Sequence, residues 1–351
     1  MILPIEPTCF VQEAKKYPVI DVRSPGEFNQ GHIPGAFNLP LFTDAERAVV
    51  GTLYVKSGRE YAVLKGLDYA LPKTGWYIDS LQTFSSTQKI LLHCWRGGLR
   101  SLLMAEVFSK AGYEVALLSG GYKDYRRFIR EDLSRPGKII VLGGFTGTGK
   151  TALLKSIASK GEQVVDLEGL ACHKGSVFGA LGQPAQPTNE QFENNLYSRW
   201  SDLDFSKMIW VEDESRMIGK VTLPDPIVEH ISSSPLIRVD LDASIRIKRL
   251  VMEYAGYDKE LLSDAIIRIG ERLGGTRTRE AITAIENSRF DEVATIALSY
   301  YDKAYLFSTV RRKNKTVHDF LISGEDIETD AAHLIEFSYK YIQHGTDLPR
   351  L

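Results

Sequence analysis

Apolar and polar positions follow two rhythms along this chain. Short apolar runs closed by charge or glycine predict buried strands, and stretches with apolar residues three and four apart predict helices. In the first part the runs fall at residues 19–23, 37–40, 88–92 and 115–118. Between them, Ser24, Pro25 and Glu27 form a capping box with proline at the first helical position. Residues 44–66 predict a helical insertion, and residues 102–108 a helix with an apolar face. Further on, the runs fall at residues 138–142, 163–167, 208–211 and 236–241, and the tail from about 280 to 343 reads as mainly helical. Strands alternating with helices predict parallel α/β sheets, with ligands at the carboxyl ends of the strands. The helix breakers Pro136 and Gly137 mark a boundary. They divide the chain into 1–133, with the insertion, and 138–351, with a helical C-terminal region.

The 351 residues suffice for two such domains. No apolar run approaches the roughly 20 residues that span a bilayer. The start shows no basic segment followed by an apolar core, so neither a signal peptide nor a membrane partner is expected. Cys9, Cys94 and Cys172 are odd in number and far apart, which predicts no disulfide framework and fits a reducing cytoplasm. The net charge of −2 means that a polyanion must be met by local basic patches.

Cys94 lies between a strand end and a helix start, where backbone N–H groups converge. Arg96 and Arg100 add positive charge, and Gly97 and Gly98 let the loop curl into an anion-binding nest. Both effects favour thiolate, so a lowered thiol pKa and a nucleophilic sulfur facing an anion are expected. The bland alternative is a buried structural cysteine. His32 reads either as a base or, more simply, as a hydrogen-bonded structural histidine. The adjacent Cys172 and His173 lack such a nest and are not assigned a reaction.

Gly144, Phe145, Thr146, Gly147, Thr148, Gly149, Lys150 and Thr151 complete the pattern G-x-x-x-x-G-K-T between a strand and a helix, the context a P-loop requires. Its amides, with Gly144, Gly147, Thr148 and Gly149, would wrap a diphosphate. Lys150 would neutralise the charge and Thr151 could hold Mg²⁺. Asp166 ends one strand, and Asp213 and Glu214 end another, so these are the acids expected to assist or to orient a Mg²⁺-bound water; no metal site is assigned with certainty. Arg246 and Arg249 share a helix face near the loop. Two basic clusters, Lys123, Arg126, Arg127 and Arg130 at the boundary and Arg311, Arg312, Lys313 and Lys315 near the end, read either as solvated faces or as tracks for an RNA backbone.

Asp21 to Phe28 with Gly31 to Ala36 resembles the opening signature of rhodanese domains, and Leu117 to Tyr122 resembles their closing signature. Cys94 then matches the cysteine that carries sulfur there. The loop from Cys94 to Arg100 is one residue longer than in many rhodaneses, and its spacing is also that of cysteine phosphatases, so a wider tetrahedral anion is expected. The second domain resembles small P-loop kinases. Together with residues 166–176 and 212–215, these motifs resemble the tRNA 2-selenouridine synthases over nearly the whole chain. The resemblance implies a transferase acting on the wobble 2-thiouridine of tRNA. It would geranylate the sulfur from geranyl diphosphate, then replace it with selenium from selenophosphate supplied by a separate enzyme, with no tightly bound cofactor. The alternatives are a P-loop kinase or ATPase carrying a rhodanese-like or phosphatase-like module, and a docking module in which Cys94 is dispensable.

Overall fold

The computed structural model describes residues 2–84, 87–314 and 316–340. The chain clusters into two compact units: Met1–Leu133 with Glu193–Ser198, and Ser134–Phe192 with Arg199–Leu351.

The first unit is built on β1 (Ile2–Ile5), β2 (Val19–Asp21), β3 (Phe37–Asn38), β4 (Lys89–His93) and β5 (Glu114–Leu118). They form one parallel sheet in the order β1-β5-β4-β2-β3. The apolar runs are continuous because the central strands are covered on both faces. Ile20, Ile90, Leu92, Val115, Met104 and Phe108 make the core, with Cys94 at its margin. The predicted capping box at Ser24 is present, with Glu27 bonding back to the Ser24 amide at 3.1 Å. The insertion is longer than the sequence pattern indicates. It comprises the helices Asp44–Lys56, Arg59–Ala70 and Thr74–Phe84, and the first of these buries no residue fully, so its apolar rhythm is weak.

The second unit carries β6 (Lys138–Gly144), β7 (Gln163–Val165), β8 (Met208–Glu212), the small antiparallel pair β9 (Met217–Ile218) and β10 (Val221–Thr222), β11 (Leu236–Asp240) and β12 (Val317–Leu321). Its main sheet is parallel, in the order β12-β11-β6-β8-β7. The P-loop strand β6 is therefore central. Leu142, Trp210, Ile237 and Val239 pack there against Leu153 and Ile157 of the helix Lys150–Ser159. A separate helical cluster joins Leu262, Ile266, Ala281, Ile285, Val293 and Ala297.

Four strands escape the sequence reading: the two-residue pair β9 and β10, and β1 and β12, which are edges of the two main sheets. β1 contains Pro4, which a strand interior excludes but an edge accepts. β12 has no fully buried residue, so it lacks the apolar run that marks the others, and it interrupts the expected helical tail.

Candidate functional site

Cys94 follows β4 directly and is 2% exposed. Its Sγ lies 3.2 Å from Oγ of Ser101, which donates to the Gly98 carbonyl at 3.0 Å. The loop is held against the closing turn by two backbone bonds, Tyr122 N to Cys94 O and Lys123 N to Trp95 O, both 2.9 Å. That contact requires glycine on both sides. Gly97 has φ +65°, and a Cβ at Gly121 (φ +64°) would stand 2.4 Å from Gly97 N. Arg96 is exposed and joins no ion pair among the described residues. Arg100 instead closes on Glu27, with Nη1 2.7 Å from Oε2. The two expected loop cations thus divide: Arg96 is open to an anion, and Arg100 ties the helix after the loop to the capping box. Ser101 carries no role in the sequence reading; its position in the first turn after the glycines is the signal for it.

Behind the loop is a buried polar frame. Arg23 donates to both carboxylate oxygens of Asp21 and to Gly31 O, and stacks over the Tyr122 ring at 3.8 Å. Burial opposes ionisation of Asp21, yet His93 and Arg23 beside it hold its carboxyl below the usual range. Burial, with Arg23 nearby, pushes the His93 imidazole down, against the pull of Asp21. The rhodanese-like opening residues are therefore a clamp that joins β2, the Gly31 turn and Tyr122. His32 is structural: Nδ1 lies 3.0 Å from Phe28 O and the ring stacks on Phe28.

In the second unit, Gly144, Gly147 and Gly149 all have positive φ, as the wrapped loop demands. Lys150 Nζ donates to Gly144 O at 2.9 Å. Thr148 is fully buried and its hydroxyl bonds Phe145 O at 2.8 Å, so its side chain braces the loop and does not face a ligand. Arg246 Nε donates to Thr146 O at 2.9 Å and Arg249 Nη1 to Thr148 O at 2.7 Å. Asp302 holds Arg246 from the other side. These arginines fix loop carbonyls, which leaves the loop amides for an anion.

The acids sort differently from expectation. Asp166 caps the helix Leu167–Ala171 through Gly169 N at 2.7 Å. Asp213 is taken up by Arg312 at 2.6 Å and by the Tyr305 hydroxyl at 3.0 Å. Both carboxylates are engaged by these partners. Glu214 remains, joined by Glu168 and Glu212. Thr151 Oγ1 donates to Glu168 Oε2 at 3.1 Å, and Glu168 N donates to Glu212 Oε2 at 3.1 Å. The Glu168 and Glu214 carboxyls lie side by side against Gly175. A Cβ at Gly175 would touch both carboxyls. Burial, then Glu168 and Asp166, push the Glu212 carboxyl up to about 8. Burial also raises Glu168, against Lys150, and raises Glu214 well above the usual range. Thr151 is thus engaged with a carboxylate. Among the described residues no group of three or more His, Cys, Asp or Glu is arranged to hold a metal ion. Glu168 and Glu212 sit where strand ends meet the loop, and that topological position is the signal for them.

The basic clusters also divide. Arg126 is buried, with Nη1 2.5 Å from Asn194 Oδ1 and Nη2 on Glu193. Arg312 is buried on Asp213 and on the Ile231 and Ser234 carbonyls. Neither side chain is exposed, which differs from the sequence expectation of two RNA-facing clusters. Lys123, Arg127, Arg130, Arg311 and Lys313 are exposed, with Arg127 on Asp124, Arg130 on Glu193 and Lys313 on Glu229. Lys315 lies outside the described residues.

Comparison with known proteins places both loops in one family. Residues 137–328 match the family model for the tRNA 2-selenouridine synthase AAA domain, and residues 10–128 match the rhodanese-like domain. A tRNA 2-selenouridine synthase of Nitrosomonas europaea is 33% identical, covering 84% of this chain and 90% of its own. That of Sulfurovum sp. is 34% identical, covering 89% and 93%. That of Shewanella frigidimarina is 32% identical, covering 86% and 90%. No described helix is long and apolar enough to cross a membrane. With a cysteine loop in one parallel-sheet unit and a lysine loop in the other, this chain belongs to the tRNA 2-selenouridine synthase family.

Proposed function

We propose that this chain converts wobble 2-thiouridine in tRNA to 2-selenouridine in two steps, at two anion-binding loops. One observation carries the reading: a single chain of this family holds a cysteine in one glycine-rich loop and a lysine in the other. In the first step the thiouridine sulfur attacks C1 of geranyl diphosphate. The S–C1 bond forms, the C1–O bond breaks, diphosphate leaves and the base loses its N3 proton. The P-loop amides and Lys150 stabilise the departing charge. Alkylation converts a poor sulfur leaving group into a good one. In the second step the selenium of selenophosphate attacks C2: the C2–Se bond forms, the C2–S bond breaks, geranylthiolate departs and takes a proton from water, and a second water cleaves the P–Se bond to release phosphate. The Cys94 loop, with Arg96 and the amides around Gly97 and Gly98, receives the tetrahedral anion. Neither step needs ATP or a resident cofactor.

The test supplies thiolated tRNA, geranyl diphosphate and selenophosphate, and reads the nucleosides by mass spectrometry. Lys150→Met should lose geranylation yet selenate pre-geranylated tRNA. Cys94→Ala should geranylate and stop there. Loss of both steps in either variant would overturn the division of labour. Lys150-dependent ATP turnover without geranylation would favour a kinase.

A further inference from the structure

Arg126 and Arg312 are buried, and a further group of open positive charge lies outside the two clusters read from the sequence. The helical turn from the end of Lys259–Arg268, through the short helix Gly270–Leu273, into the start of Gly275–Glu286 carries Arg268, Arg272, Arg277 and Arg279, all exposed. Residues 268–279 hold these four arginines and one acid, Glu271, so 4 − 1 gives a net +3. None of the four closes on a carboxylate among the described residues, whereas Arg100, Arg126, Arg246 and Arg312 each do. Arg272 and Arg277 converge on neighbouring positions of one helix, at the Tyr300 hydroxyl (3.5 Å) and at Ser299 Oγ (3.1 Å). Those neutral partners orient the guanidinium groups, and no carboxylate forms an ion pair with them among the described residues.

The turn is built rigidly. Leu273 is buried between its arginines in the helical core, and Thr278 Oγ1 bonds Gly274 O at 3.0 Å. The helix that receives Arg272 and Arg277 also supplies Tyr301, whose hydroxyl accepts Val177 N at 2.9 Å. Val177 lies two residues beyond Gly175, which abuts Glu168 and Glu214 beside the P-loop. One helix thus supports both the arginine turn and the segment beside the P-loop acids.

Resting on the two-step reading above, we propose that Arg268, Arg272, Arg277 and Arg279 form the surface that grips the tRNA phosphate backbone while the wobble base is at the P-loop. The charge fits a run of phosphates. A single diphosphate already has Lys150 and the loop amides, and four guanidiniums spread along a turn exceed what it can occupy. Arginine suits the task because its planar fork meets phosphate oxygens two at a time.

The test uses the full chain with two double variants, Arg268→Gln with Arg272→Gln, and Arg277→Gln with Arg279→Gln. Binding of thiolated tRNA is followed over a salt series and binding of geranyl diphosphate by calorimetry. Each lost phosphate contact should reduce the slope of log affinity against log salt by about one, which at 0.1 M salt is roughly tenfold in affinity. Diphosphate affinity should stay unchanged. Thermal melting checks the fold, and if one pair fails to fold the other decides. An unchanged tRNA slope in the folded variants overturns the proposal. So does lost diphosphate affinity with tRNA binding intact, which would make the turn a cover for the diphosphate. If the unaltered chain binds no tRNA, the two-step reading itself falls, an outcome distinct from both.

Discussion

Sγ of Cys94 and Oγ of Ser101 are 3.2 Å apart, and the same hydroxyl donates to Gly98 O. In the thiol form the sulfur can donate to Ser101 and Ser101 to the carbonyl. When the sulfur ionises, the hydroxyl is already in reach to turn and donate to it. A hydrogen bond to a charged group is worth about 1.5–3 kcal/mol, so its loss should slow Cys94 alkylation by iodoacetamide at fixed pH about tenfold or more. Ser101→Ala should show that loss while melting like the parent, and Ser101→Thr should keep the rate. Equal rates in all three would remove Ser101 from the chemistry of the loop.

Gly121 and Gly98 give a second contrast within the same loop region. A Cβ at Gly121 meets Gly97 N at 2.4 Å and Cys94 O at 2.6 Å, at a φ of +64°. Neither backbone can retreat, because Tyr122 N bonds Cys94 O. Gly121→Ala should cost at least about 2 kcal/mol in a urea melt and disturb Cys94. Gly98 has open space around it and an ordinary φ of −100°. Gly98→Ala should cost under about 1 kcal/mol, the usual scale for a helix-capping position. Similar costs for both would contradict the packing described for this turn.

Glu212 makes the stability of the second unit depend on pH. Its carboxyl is pushed up to about 8 from an ordinary value of 4.5, mainly by burial and then by Glu168. Folding therefore takes up a proton between these values. The stability it contributes is complete below about 4.5 and is lost as pH rises through about 8. Glu212→Gln keeps an oxygen for the Glu168 amide and removes the titration. The melting temperature of the variant should gain on that of the parent as pH rises from about 4.5 to about 8 and hold level above that. Parallel profiles would mean that the proton is held elsewhere in the cluster.

Both loops are legible in the sequence because each lies at the end of a buried parallel strand, where an apolar run stops and glycines begin. The edge strands β1 and β12 are not, since an edge need not carry an apolar run. The P-loop acids are half legible. Asp166, Asp213 and Glu214 stand out as a charged strand end, yet which carboxylate turns toward Thr151 depends on which strand lies next to β6. That is β8, carrying Glu212, with β7 and Glu168 beyond it. Pairing partners such as Arg312 for Asp213 come from residues 99 apart, and no local pattern announces them.

Arg126 shows a buried charge that periodicity alone could have exposed. In the helix Gly121–Asp132 the buried positions are Tyr122, Tyr125, Arg126 and Ile129, spaced three and four apart. Arg126 thus lies on the apolar stripe, while Lys123, Arg127 and Arg130 lie off it. Its guanidinium bonds Asn194, which in turn donates to the Tyr122 hydroxyl at 2.7 Å and to His32 O at 2.8 Å. Arg126→Gln would take this donor from Asn194 Oδ1 and leave Glu193 to Arg130, at a cost of about 3 kcal/mol. Arg127 is 66% exposed on Asp124, and Arg127→Gln should stay within about 0.5 kcal/mol of the parent. Urea melts of the two variants make the comparison. A stable Arg126→Gln chain with weakened tRNA binding would return Arg126 to the RNA-facing set, whereas early unfolding with Arg127→Gln unaffected identifies it as part of the frame behind the Cys94 loop.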